Sequence, residues 1–106
     1  MTRTLHPEEG ARFLLERIAV EQGGGAARYR GAVYTPDAAF EYEIAMRAGG
    51  EVSAAVRPGG PAAPAELEDK LLAHARTAAR AAERKRRDGL PPWPHRVLRW
   101  RGPGRG

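Results

Sequence analysis

Few side chains in this 106-residue chain are of the kind that make or break bonds, and their spacing argues against most of the chemistry they could do. Any imidazole base or nitrogen ligand would have to come from His6, His74 or His95. None of these stands at the short separations that place two imidazoles on one metal or one substrate. The one serine, Ser53, falls on an alternating apolar and polar stretch with no base beside it. Glu41 and Glu43 share a strand face and could imitate the carboxylate pair of a general acid and base. Arg57 and Arg30 are expected across from them, which turns them into surface ion pairs worth about 0–1 kcal/mol each. Gly23–Gly25 has neither the preceding strand nor the following Lys-Ser/Thr of a phosphate cradle. With no cysteine there is no thiol nucleophile, thiolate zinc site or disulfide framework. The sequence therefore assigns no catalytic, metal or cofactor-binding residue and no cofactor, and the chain reads as a non-enzyme.

Charge gives the one positive signal. Residues 1–63 hold seven arginines against eight carboxylates, a net of −1, whereas residues 64–106 hold eleven Lys/Arg against five carboxylates, a net of +6. Arg76, Arg80, Arg84 and Arg87 fall on one side of a predicted helix, where like charges four apart repel by a few tenths of a kcal/mol each. Arg96, Arg99 and Arg101 continue the cationic run. Together they form a candidate phosphate-tracking surface on which Trp93 and Trp100 could stack against bases. The sequence thus points to a small binding module that holds nucleic acid with little sequence specificity. The alternative is a protein-interaction adaptor or small subunit that sets these aromatics and arginines against an acidic protein partner, and a remote third is a subunit of an enzyme with a shared site. A solvated helix face with the tryptophan tail folded back is the plainer reading of the same residues. If the tail holds phosphates, deleting residues 89–106 should flatten the salt dependence of binding.

The elements that must position these residues follow from periodicity. Pro7, Glu8 and Glu9 resemble a helix start, and Ala11, Leu14, Leu15, Ile18 and Ala19 share one stripe of a 3.6-residue wheel, so a helix is expected up to the stop at Gly23–Gly25. That helix leaves Phe13 and Val20 on its far side. Phe40, Tyr42, Ile44 and Met46 alternate with polar or small residues, the period of a half-buried strand. Turn chemistry at Thr35–Ala38 pairs Val33 with Phe40, Gly31 with Tyr42, Tyr29 with Ile44 and Arg30 with Glu43. A three-residue turn at Ala48–Gly50 pairs Met46 with Val52, Ile44 with Ala54 and Tyr42 with Val56, and sets Arg47 by Glu51 and Glu41 by Arg57. Prolines and glycines from 58 to 64 forbid regular structure. A long helix from Pro64 or Ala65 to Asp88 follows, buried along Leu67, Leu71, Ala75, Ala78 and Ala82, with acids in its first turns and bases in its last. Arg96–Arg101 reads as an edge strand or a loose turn, and Gly102–Gly106 as disordered.

The expected fold is α+β, a two-layer α-β-β-β-α in which a three-stranded antiparallel meander packs against an N-terminal and a long C-terminal helix. Residues 1–88 form the domain and 89–106 a Pro/Trp/Arg-rich tail. This order resembles that of double-stranded-RNA-binding domains, but the last helix begins Pro64-Ala65-Glu66-Leu67-Glu68-Asp69, acidic where those domains are basic, so the likeness is of order alone. No apolar run is long enough to span a membrane, and a cytoplasmic chain is expected. Phe13, Val20 and the tryptophans must be covered by the tail, by a homodimer or by a partner.

Overall fold

The computed structural model describes residues 6–102. It contains β1 (Ala11–Val20), β2 (Ala26–Tyr34), β3 (Ala39–Arg47), β4 (Val52–Val56), α1 (Ala65–Arg87) and β5 (Arg96–Arg101). The strands form one five-stranded antiparallel sheet in the order β4-β3-β2-β1-β5. Antiparallel pairing throughout makes the two edge strands, β4 and β5, run the same way, so α1 carries the chain back across one face from one edge to the other.

The α-β-β-β-α expectation is overturned at its first element: Ala11–Val20 is a strand, not a helix. Both readings fit the adjacent pair Leu14-Leu15, because each residue is buried on a different side. Leu15 joins Phe13 and Ala11 in the core under α1, whereas Leu14 pairs with Ala32 and Leu98 on the opposite face. A strand flanked on both sides and apolar on both faces loses its alternation and imitates a helix. Gly10 enters β1 at φ +76, and a Cβ there would meet the Arg101 carbonyl, so chain entry is fixed by glycine rather than by a helix cap. Gly23 and Gly24, also at positive φ, form the β1–β2 turn, closed by Glu21 N–H to Ala26 O at 2.9 Å.

The meander itself matches the expected pairing. Val33–Phe40, Gly31–Tyr42, Tyr29–Ile44 and Arg30–Glu43 are opposed, as are Met46–Val52, Ile44–Ala54 and Tyr42–Val56. Under α1 the core is closed by small residues. Leu71, Ala75, Ala79 and Ala82 are buried, with Ala79 in place of the expected Ala78, and the Ala79 carbonyl accepts the Gly49 N–H at 3.0 Å. Opposite Leu71 lies Gly31, where an added Cβ would come within 2.5 Å of Ile44 Cδ1 and 3.3 Å of Leu71 Cδ2. Alanine on the helix and glycine on the strand together let the two layers approach closely. Tyr42 ties the helix start down: its hydroxyl donates to Glu68 Oε2 at 2.7 Å and accepts the Ala63 N–H at 2.8 Å. Burial comes first among the causes that push its phenol pKa up.

The segment after residue 88, set apart by composition as a tail, supplies β5 and a core residue. Trp93 is 2% exposed and tilts against Tyr29 with ring centroids 6.3 Å apart. Its Nε1 donates to Gly24 O at 2.8 Å, Arg17 Nη1 donates to its own carbonyl at 2.8 Å, and the Tyr29 hydroxyl donates to Pro94 O. Trp93 therefore covers Tyr29 and the β1–β2 turn, while the ring of Phe13 meets His74. Most of the expected disordered end, 103–106, lies outside the described residues.

Candidate functional site: two populations of arginine

The face of the sheet away from α1 has no second layer among the described residues. Pairing places Arg12, Leu14 and Glu16 of β1 beside Tyr34, Ala32 and Arg30 of β2, and beside Trp100, Leu98 and Arg96 of β5. Leu14 and Ala32 are nonetheless 1% and 0% exposed. Leu98 and Trp100 remain 40% and 53% exposed, with Trp100 Nε1 donating to Glu9 O at 3.3 Å. Toward β4 the same face is ionic. Arg30 reaches Glu16 at 2.6 Å and Glu41 at 3.2 Å, Arg57 meets Glu41 at 2.9 Å, Arg28 meets Glu43 at 3.0 Å and Arg47 meets Glu51 at 3.7 Å. Arg30 faces Glu43 in register, as expected, but bonds Glu16, its partner straight across on β1, and Glu41, diagonally across on β3. The neighbour that draws it away, Glu16, stands on a strand that the sequence reads as a helix. The hydrogen bond donated to Glu16 is the main reason the Arg30 guanidinium is held protonated more firmly than usual. The expected ion pairs Glu41–Arg57 and Arg47–Glu51 are both present.

A concavity of about 570 Å³ lies on the sheet near the β1–β2 and β3–β4 turns, lined by small residues such as Ala19, Ala26, Ala45 and Ser53 and by Arg28 and Arg47. Both arginines already have carboxylate partners. Among the described residues no buried side-chain polar atom lacks a hydrogen bond, and no cluster of three His, Cys, Asp or Glu could hold a metal. Ser53 is exposed on β4, opposite Ala45. His74 packs on Phe13 with ring centroids 5.1 Å apart, and its pKa is lowered by burial and then by Arg99 and Lys70. His95 accepts from Arg17 Nη2 at 3.0–3.1 Å, and His6 lies against Thr35 O at 2.7 Å. The three imidazoles are thus held apart by separate structural contacts.

The nine residues put forward as one binding surface are not brought together. Trp93 is in the core and cannot stack on a base. Trp100 and Arg96 lie on the uncovered sheet face, while Arg99 and Arg101 are opposite Phe13 and Ala11, on the α1 side of the β5 edge. Arg76, Arg80, Arg84 and Arg87 share the other flank of α1, with Arg80 lying over Gly50 of the β3–β4 turn. The body of α1 separates Arg99 from that flank, since Arg99 lines a groove with His74, Thr77 and Ala81 on the β5 side of the helix. What survives is the helix flank. Within α1 the one ion pair among the described residues is Arg86–Glu83 at 3.7 Å. Among the described residues Arg76, Arg80, Arg84 and Arg87 have no carboxylate partner. The sequence separated these populations only in part: strand register gave Arg57 and Arg47 their partners, whereas those of Arg28 and Arg30 followed only from the folded sheet. No protein-family model, curated protein or solved structure matches the chain.

Proposed function

We propose that this chain is a non-catalytic binding module that holds a nucleic-acid backbone through its phosphates along the Arg76–Arg87 flank of α1, with little sequence preference. The observation that carries this reading is the contrast in pairing. Arg28, Arg30, Arg47 and Arg57 all have carboxylate partners; of the sheet arginines without one among the described residues, Arg12, Arg17, Arg96 and Arg99 are spread over β1 and β5, whereas Arg76, Arg80, Arg84 and Arg87 form one row on α1. A row of positive charge without carboxylate partners therefore stands on a rigid element, at intervals of about 6 Å of helix rise between Arg76, Arg80 and Arg84. Such an array attracts polyanions and releases their condensed cations on binding.

The test is affinity for a labelled DNA duplex across a salt series. Four neutralised phosphates give a slope of log affinity against log salt of about −3.6. Replacing Arg76, Arg80, Arg84 and Arg87 with glutamine should remove most of it. Deleting residues 89–106 is the wrong experiment, since it takes away Trp93 and β5 with the charge. Binding that keeps its full slope in the glutamine variant rejects the assignment to α1.

A second reading places the partner on the uncovered face, where Leu98 and Trp100 stand exposed beside the sealed Leu14 and Ala32. The two readings separate by fluorescence. Trp100 lies on the face opposite α1, so its emission stays constant when DNA is added if the helix flank binds. A shift in that emission moves the site to the sheet.

A further inference from the structure

The two edges of the sheet are built differently. β5 carries Arg96, Arg99 and Arg101 among six residues, so pairing two copies there gathers cations without a carboxylate on either strand; charged edges of this kind discourage edge-to-edge association. β4 is Val-Ser-Ala-Ala-Val, uncharged, with Ser53, Ala54 and Ala55 exposed. Its bonds to β3 fix which backbone groups are free. Arg57 N–H donates to Glu41 O and Glu51 O accepts from Arg47 N–H, so residues 51, 53, 55 and 57 point their backbone groups at β3. Those of Val52, Ala54 and Val56 point outward.

We infer that β4 pairs with β4 of a second copy, antiparallel, about a twofold axis through Ala54, joining the two sheets into one. The free groups suit this register: Ala54 exchanges N–H···O bonds with the partner's Ala54, and Val52 with the partner's Val56. The flanking charges select it. Centred on Ala54, the axis sets Glu51 against the partner's Arg57 and Arg57 against the partner's Glu51. A shift of the axis to Ser53 or Ala55 also matches free groups in fewer pairs, but it places Glu51 opposite Ala55 or Gly59. Glu41–Arg57 and Arg47–Glu51 are ion pairs on the same sheet face in each copy. The seam therefore links them into an alternating row: Glu41, Arg57, the partner's Glu51, the partner's Arg47. Both α1 helices end up on one side of the joined sheet, each with the arginine flank that carries Arg80 turned toward the seam.

Sedimentation velocity of the full chain from micromolar to millimolar concentration, without nucleic acid, tests the edge independently of the polyanion reading. The wild type shifts from monomer to dimer across the series. Glu51→Arg alone puts arginine against arginine at the seam, Arg57→Glu alone puts glutamate against glutamate, and each weakens self-association by about tenfold or more. An equimolar mixture of the two variants restores it. In the mixed dimer the arginine introduced at position 51 of one chain faces the glutamate introduced at position 57 of the other, and the native Arg57 faces the native Glu51. Ala54→Pro removes only an outward N–H, so it abolishes the dimer while leaving the circular dichroism of the monomer unchanged. A wild type that stays monomeric throughout, single variants that dimerise like the wild type, or a mixture no better than its components each overturns the proposal.

Discussion

On the uncovered sheet face Arg30 lies between Glu16 and Glu41, while on α1 Arg80 rests its stem over Gly50 with no carboxylate partner among the described residues. The two residues are chemically identical, yet one is part of the fold's own charge balance and the other is not. The difference comes from geometry. Adjacent strands set positions of opposite sign at a few ångströms, and β1, β2 and β3 place two glutamates within reach of one guanidinium. A helix offers its side chains only neighbours three or four residues away; for Arg80 these include Arg76 and Arg84, and the one carboxylate among them, Glu83, is taken by Arg86. Net charge therefore says little about where a polyanion would bind until the paired cations are subtracted.

The largest expected effect concerns a residue that composition assigns to the tail. Trp93→Ala should cost about 3–5 kcal/mol, measured by denaturant unfolding, because it empties a core site and takes from the Gly24 carbonyl its indole donor. Trp100→Ala, at the half-exposed site, should change stability by less than about 1 kcal/mol. Equal losses would mean that the two faces are not as unlike as they look. Gly31→Val comes next, at about 1–3 kcal/mol, since the added methyls meet Ile44 and Leu71, both fully buried.

The same substitution should then change sign between the regions. Arg30→Gln should destabilise by up to about 1 kcal/mol, as partly exposed ion pairs do. Arg80→Gln should stabilise by a few tenths of a kcal/mol, relieving repulsion from Arg76 and Arg84. Matched thermal melts of the two variants check this, and a loss at both positions breaks the comparison.

The smallest effect is a pH dependence. His74 has a pKa lowered from 6.5, first by burial and then by Arg99 and Lys70. Below 6.5 the unfolded chain takes up a proton that the folded chain refuses until lower pH, so stability is complete above 6.5 and falls as pH drops below it. His74→Asn should flatten that part of the curve. At the alkaline end Tyr29, pushed up to about 12 by burial, should stay protonated well past 10, which absorbance at the phenolate band will register. Its contribution is present below 10 and is lost as pH rises toward 12.

Some of this architecture was legible in the residues. From Tyr29 to Val56 the alternation of apolar and polar side chains, the turn residues and the opposed charges all agree on one register, and the pairing follows it. α1 could be bounded by its acids, its bases and Gly89. The candidate site was half legible: the helix arginines could be grouped, but their lack of partners could not be known before the sheet's ion pairs were. Ala11–Val20 was misleading because Leu14 and Leu15 are buried on opposite faces, which removes the alternation that marks a strand. Phe13, left on the wrong side of the expected helix, was the one sign of the error.

The sequence by itself determined the β2–β3 and β3–β4 registers, the extent of the long helix and the concentration of positive charge after residue 64, because these depend on neighbours in the chain or across a short turn. Tertiary structure alone decided that β1 lies between β2 and β5, that Trp93 is core while Trp100 is surface, and which arginines keep a free charge. The first two turn on contacts between segments dozens of residues apart, and the third on the place of Glu16 in a strand beside Arg30, where local periodicity carries no information and only the closing of the sheet brings the partners together.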